Sequence, residues 1–262
     1  MALSDSELDE LAQAKRLLEH PGLAARLASI VGSPLEKGIT LLPDRVQQKL
    51  HATVNAVLMK TLEVAVKTLG SHRVRPSSDV LHKIAAAASG AAGGAFGLPA
   101  LALELPISTG VMLRSIADIA MANGENPREV DTQLACIMVF ALGSPVDRQD
   151  DAAESAYFAA RMALAEAVGE AVKHLARKGF TKASGPPLVR LIALISSRFG
   201  IVVSDKVAAQ AVPIIGAAGG AIINTVFIDH YQDMARGHFT VRRLERLHGP
   251  EAVRLAYEGA KS

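Results

Sequence analysis

Cysteine and aromatic residues are scarce in this chain, and their scarcity excludes several classes of protein. Of the 262 residues, 4% are aromatic, none is tryptophan and 50% are hydrophobic. The apolar residues are therefore mainly Ala, Leu, Val and Ile, which suit close helix packing. The single cysteine, Cys136, excludes an internal disulfide framework and a cysteine-based zinc cluster. Because Cys136 lies within the apolar run 134–142, we expect a buried thiol.

Excess charge of either sign is also missing. The chain has 28 basic and 26 acidic residues, a formal net charge of +2, and no basic run with interleaved aromatics. This composition predicts no nucleic-acid partner. Residues 4–19 are strongly charged and do not resemble a signal peptide, so we expect a cytoplasmic location.

Strand patterns are absent as well. Alternating apolar and polar residues do not occur over any useful length, and the β-branched cluster 201–203 is short and isolated. Apolar residues instead recur at helical spacing, as in residues 46–69. The sequence therefore predicts an all-α fold, with an N-terminal helical segment at 1–42 and a helical domain at 43–262.

Local signals predict several helix boundaries. Ser4 and Glu7 have the spacing of a capping box, and His20-Pro21-Gly22 should end that helix. Ser108 and Thr109 are expected to cap a helix that starts at Pro106. A short helix is predicted at 188–199, and a separate polar helix at 229–248.

One hexapeptide occurs twice. Gly90-Ala91-Ala92-Gly93-Gly94-Ala95 recurs as Gly216-Ala217-Ala218-Gly219-Gly220-Ala221, and each copy precedes a glycine, Gly124 or Gly249, by 34 or 33 residues. A duplicated unit and a chance match between packing segments both explain this. Small residues four apart let helices approach closely, so we predict two Gly/Ala-rich helical units that cross at these glycines.

The hexapeptides lie in two runs without charge. Residues 84–103 and 207–228 are 20 and 22 residues long, enough for a membrane span. Buried central helices of a soluble protein explain them equally well. The sequence leaves both interpretations open.

Glu104 is the only charged residue between Lys83 and Arg114. A buried carboxylate must be paired or protonated, because an isolated buried charge is very costly. Arg114, Arg161 and Arg236 are the candidate partners. A structural ion pair and a reactive or ligand-binding acid both remain open.

A polar segment follows the second charge-free run. Asp229 and Asp233 are four residues apart and share a helix face, and Arg236 and His238 follow. With Glu104 and Arg114 they form the candidate polar site. The spacing fits no metal motif, so a carboxylate–arginine network is predicted, without a metal or cofactor.

Arg242, Arg243 and Arg246 lie beyond these residues on a polar stretch. Basic residues next to an apolar run are typical of a surface that contacts lipid headgroups or a membrane partner. An ordinary solvated helix explains them too. The sequence also contains no Gly-x-Ser-x-Gly nucleophile elbow and no Walker-type phosphate-binding loop.

With these residues, the chain resembles the EcsC protein family over about residues 43–258. The stretches that carry the resemblance are Glu104–Thr109, Leu113–Ala120, Gly124-Glu125, Val139–Gly143, Pro213–Asn224, Asp229–Phe239 and Arg242–Glu245. The resemblance implies a bacterial protein connected with an ABC exporter, secretion and protein processing. A peptidase-like role has been attached to the family, but no protease constellation is present.

Three hypotheses follow. The first is a membrane-associated module that binds lipid or another apolar partner, peripheral at the inner membrane. The second is a peptidase-like hydrolase that uses Glu104 with Asp229 and Asp233. The third is an interaction subunit of an ABC-type transporter.

Overall fold

The computed structural model describes residues 3–19, 22–31, 44–69, 98–144, 155–180, 185–210 and 216–260. Within these ranges the chain forms nine α-helices, one short 3-10 helix and no strand, which confirms the all-α fold. The helices are α1 (Asp5–Glu19), α2 (Leu23–Val31), α3 (Asp44–Thr68), α4 (Leu98–Ala122), α5 (Val130–Met138), the 3-10 helix (Val139–Ala141), α6 (Ala156–Lys178), α7 (Pro186–Gln210), α8 (Gly216–His248) and α9 (Pro250–Gly259).

Local signals define several helix ends, and both ends of α1 lie where the capping box and His20-Pro21-Gly22 predict them. The backbone N and the Oγ of Ser4 each lie 2.8 Å from Oε2 of Glu7, and α1 ends at Glu19. Gly124 follows the end of α4 with φ of 79°. Side-chain capping and glycine thus determine these ends through short-range contacts.

Pro106 does not start a helix, contrary to the prediction. It lies inside α4. Ser108 therefore caps nothing, and its Oγ donates a hydrogen bond to the carbonyl oxygen of Leu105 at 3.2 Å. The missing N–H of a proline removes one helical hydrogen bond, a loss that packing on both sides can offset.

The two C-terminal helices are longer than predicted. The helix predicted at 188–199 continues through the β-branched cluster to Gln210. The second hexapeptide and the predicted polar helix form one helix, α8, of 33 residues. The charge-free run 207–228 is therefore divided between α7 and α8, and residues 211–215 lie outside the described part.

Helix α8 forms the spine of the fold, and α1 lies antiparallel along it. His248 contacts Glu7, and further back along α8, Gly237 faces α1. A Cβ on Gly237 would come within 2.6 Å of Cγ of Leu18 and 3.0 Å of the carbonyl oxygen of Ala14. Because Gly237 has no side chain, the backbones of α1 and α8 can approach each other closely there.

Helix α4 lies parallel to α8. Ser115 pairs with Gln232 at 2.8 Å, and Glu125 pairs with Arg242 at 2.9 Å. The first hexapeptide, residues 90–95, lies outside the described residues. The duplication, the crossing of the two copies and the division of the chain at residue 43 stay predictions.

An aromatic group fills the centre between α7, α8 and the 3-10 helix. Its rings are fully buried, with centroid distances of 5.1 Å for Phe140–Phe199 and 5.3 Å for Phe227–Tyr231. Phe199 contacts both Phe227 and Tyr231. Most aromatics of this aromatic-poor chain serve the core, where edge-to-face packing adds to their burial.

Candidate functional site

Lys206 of α7 meets Glu104 of α4 inside the bundle. Its Nζ lies 2.5 Å from Oε1 of Glu104 and donates to Oδ1 of Asn224 of α8 at 2.7 Å. Nε2 of Gln210 donates to the other oxygen of Glu104 at 3.3 Å. The side chains of Lys206 and Glu104 are 0% and 3% exposed. We call Glu104, Lys206, Gln210 and Asn224 the buried polar cluster.

The surroundings of Lys206 explain how a buried ammonium is tolerated. Burial lowers the pKa of Lys206, and the neighbouring Glu104 carboxylate opposes that effect. The Nζ also lies 4.6 Å from the centroid of the Phe227 ring, a cation–π contact. A carboxylate, an amide oxygen and a ring face thus replace water around the ammonium. This arrangement joins α4, α7 and α8, and the amine of Lys206 is not exposed to solvent.

The three arginines predicted as partners of Glu104 are not the residues that pair with it, which are Lys206 and Gln210. Arg114 is exposed. Arg161 pairs with Glu245, at 2.7 and 3.0 Å. The prediction of an arginine partner for Glu104 is wrong because α7 continues past residue 199 and brings Lys206 alongside α4.

Asp233 also has its own partners. Its two oxygens lie 2.9 Å from Nη1 of Arg26 and 3.0 Å from Nη1 of Arg236. Asp229 lies one turn earlier on the same helix. Among the described residues, no group of three or more His, Cys, Asp or Glu side chains could hold a metal ion. Asp233 pairs with arginines and Glu104 pairs with Lys206, and the hydrolase hypothesis stays a prediction.

His238 belongs to the core. Its ring is fully buried, and its Nδ1 lies 2.8 Å from the hydroxyl oxygen of Tyr157. Burial lowers the pKa of His238 well below its usual value, and the charges of Arg161 and Arg242 add to this. The imidazole is therefore neutral at physiological pH and supports packing.

The predicted membrane-contact arginines pair within the chain. Arg242 binds both oxygens of Glu125, at 2.9 and 3.1 Å, and Arg246 contacts the same carboxylate. Arg243 contacts Glu10. These pairs join α8 to α1 and to the end of α4. Contact of these arginines with a headgroup stays a prediction.

Sequence reasoning missed Lys206 and its neighbour Asn224. A signal was present: Asp205 and Lys206 are the only charged residues between Arg198 and Asp229. A charged residue in an apolar stretch needs a buried partner of opposite sign. Two apolar stretches, each with such a residue, could have been matched to each other.

Two described stretches are long and apolar enough to cross a membrane by length and composition. They are Glu104–Ala122 and Pro186–Gln210, and 67% and 50% of their most apolar windows are buried within the bundle. Core helices of soluble proteins meet the same criterion. Their length therefore does not decide between a span and a core helix.

Comparison with known proteins bears on the identity of the chain. The model of the EcsC protein family matches residues 5–244, a range that includes the buried polar cluster, all of α4 and α8 as far as Leu244. No curated protein and no solved structure matches the chain.

Proposed function

The chain belongs to the EcsC protein family, and we propose that it acts as a membrane-associated helical module that binds lipid or another apolar partner. The exposed apolar side chains beside the buried polar cluster carry this proposal. The cluster joins the beginning of α4, the end of α7 and the beginning of α8. These helix ends border both charge-free runs, 84–103 and 207–228. We call this end of the bundle the Glu104 end.

Exposed isoleucines at the Glu104 end support the proposal. Ile107, three residues after Glu104, is 55% exposed, and Ile222, two residues before Asn224, is 50% exposed. The opposite end of the α4–α8 pair is held by ion pairs around Glu125. Exposed apolar side chains next to both charge-free runs suit a protein that contacts the bilayer with its Glu104 end.

Vesicle co-sedimentation tests the proposal. The full chain should sediment with neutral phosphatidylcholine vesicles, because apolar contact needs no anionic lipid. The double variant Ile107→Glu/Ile222→Glu should lower the bound fraction several-fold, since two charges would have to enter the apolar region.

A matched control is available far from the Glu104 end. Leu247 and Leu255 are 61% and 62% exposed, and Leu247→Glu/Leu255→Glu adds the same charge. This control should sediment like the original chain. Equal losses in both double variants, or no binding by the original chain, would refute the proposal. Capture of a transporter from membranes without vesicle binding would instead favour the interaction-subunit hypothesis.

A further inference from the structure

Basic side chains line a wide-open cavity of about 560 Å³ at the surface, between the end of α6 and the beginning of α7. This volume is within the range of small-molecule sites, roughly 300–1,000 Å³. One carboxylate, Glu170, and two prolines complete the lining. The basic residues are Lys173, His174, Arg177, Lys178 and Arg190.

The positive charge of this cavity is only partly balanced. Arg190 lies 3.3 Å from an oxygen of Glu166 and 3.3 Å from an oxygen of Glu170, so these two carboxylates share one guanidinium. Lys173 and Arg177 are exposed, and no ion pair joins either of them to a described residue. The cavity therefore favours an anion.

A close contact between α6 and α7 shapes the cavity. A Cβ on Gly185 would lie 2.1 Å from Cε1 and 2.5 Å from Nε2 of His174. The imidazole thus rests directly on the backbone before α7, and only glycine leaves room for it. Beyond the end of α6, Nζ of Lys67 of α3 lies 5.9 Å from the centroid of the Phe180 ring.

We propose that this cavity, which we call the basic cavity, binds a small phosphorylated anion. Guanidinium and ammonium groups match phosphate oxygens in charge and geometry. None of the described lining residues is Phe, Tyr or Trp, so a phosphate group rather than a nucleobase is the part of a ligand that the lining suits. The ligand class is a phosphomonoester or pyrophosphate group, either free in solution or in a lipid headgroup. This site lies about 24 Å from the Glu104 end, since Arg190 and Lys206 are 16 residues apart on α7, and it does not depend on the proposed apolar contact.

Calorimetric titration with pyrophosphate tests the site in the full chain. We expect saturable binding, and Lys173→Ala/Arg177→Ala should weaken it by about tenfold or more, because two charge-assisted hydrogen bonds are lost. Both residues are exposed, so the variant should fold, which circular dichroism and thermal melting check. The control Lys49→Ala/Arg254→Ala removes the same charge from other exposed or half-exposed positions and should bind like the original chain.

Vesicles distinguish the two sources of phosphate. If the ligand is a lipid headgroup, the original chain should bind phosphatidic acid vesicles more strongly than phosphatidylcholine vesicles. Lys173→Ala/Arg177→Ala should lose this difference but keep any binding to phosphatidylcholine vesicles. If the ligand is soluble, pyrophosphate binds and phosphatidic acid adds nothing. Failure on phosphatidylcholine alone concerns only the apolar contact. The basic cavity is overturned as a site if the original chain shows no saturable binding of either pyrophosphate or phosphatidic acid vesicles. Equal weakening of binding in the Lys49→Ala/Arg254→Ala control overturns it too.

Discussion

The Nζ of Lys206 lies 2.5 Å from Oε1 of Glu104, although 102 residues separate the two along the chain. Both side chains are buried. The pair therefore joins α4 to α7 by an ion pair in the interior of the bundle. Its contribution to stability depends on both partners being present, because either charge alone would be buried without compensation.

Lys206→Met should lower the free energy of unfolding by about 3–5 kcal/mol, because Glu104 would be left buried without its cation. Adding Glu104→Leu should restore most of that loss, since the second change removes the orphaned charge. Urea denaturation measures both effects. Lys60→Met is the control: Lys60 is 69% exposed and pairs with Glu63, and its loss should cost less than about 1 kcal/mol. Equal effects at positions 60 and 206 would contradict the structural role of the buried pair.

Gly237→Ala should destabilise the protein by about 1–3 kcal/mol, because the new methyl group would press on Leu18 and on the backbone of Ala14. Gly110→Ala provides the comparison within another helix. Nothing lies within 4 Å of a Cβ at position 110, so alanine should raise stability there by about 0.5–1 kcal/mol. Thermal melting of the two variants should shift in opposite directions, and a common direction would argue against close contact of α1 with α8.

Asp205 should make stability depend on pH. Burial raises the pKa of this carboxyl group from 3.8 to about 6. Between these values the unfolded chain binds fewer protons than the folded one, so the contribution of Asp205 to stability falls as pH rises from about 4 to 6. Asp205→Asn removes this penalty, and its stability relative to the original chain should rise by roughly 2 kcal/mol between pH 4 and pH 7.

The measurement for Asp205 is the difference between variant and original chain at each pH. The original profile alone is ambiguous, because His230 acts in the opposite direction. Burial lowers the pKa of His230 from 6.5 to about 3, so its contribution to stability is present above pH 6.5 and is lost as pH falls. A constant difference between the two proteins from pH 4 to pH 7 would exclude a buried titrating Asp205.

Glu125→Gln should lower the free energy of unfolding by about 2–4 kcal/mol, because two arginines of α8 lose their shared carboxylate. Asp131→Asn is the matched change. Asp131 also contacts Arg242, but it is 55% exposed, and its loss should cost under about 1 kcal/mol. Urea denaturation distinguishes the two, and similar losses would show that burial of Glu125 contributes little.

The all-α class of the fold could be predicted from the sequence, but the lengths of several helices could not. The capping box at Ser4 and Glu7 and the glycine after α4 act within one helical turn, so their effect is visible in a short window. Pro106 and the β-branched cluster 201–203 disfavour helix locally, yet both lie inside helices. Residues 205–209 of α7 are buried, and the packing of these turns outweighs the local preference.

The candidate polar site was predicted only in part. Asp233 and Arg236 do pair, because three residues along a helix place their side chains together. Arg242 and Arg246 are four residues apart on α8, and both contact Glu125. That acidic partner lies more than 100 residues away, where spacing carries no information.

The sequence by itself determined that the chain is helical, that it belongs with the EcsC proteins, and that Glu104 needs a partner, because periodicity, motif and burial cost are all visible in a single chain. The tertiary structure alone decided that this partner is Lys206 and that Asn224 completes the contact. The physical reason is that side chains on separate helices meet according to how the helices pack. Here the continuation of α7 past residue 199 sets that packing.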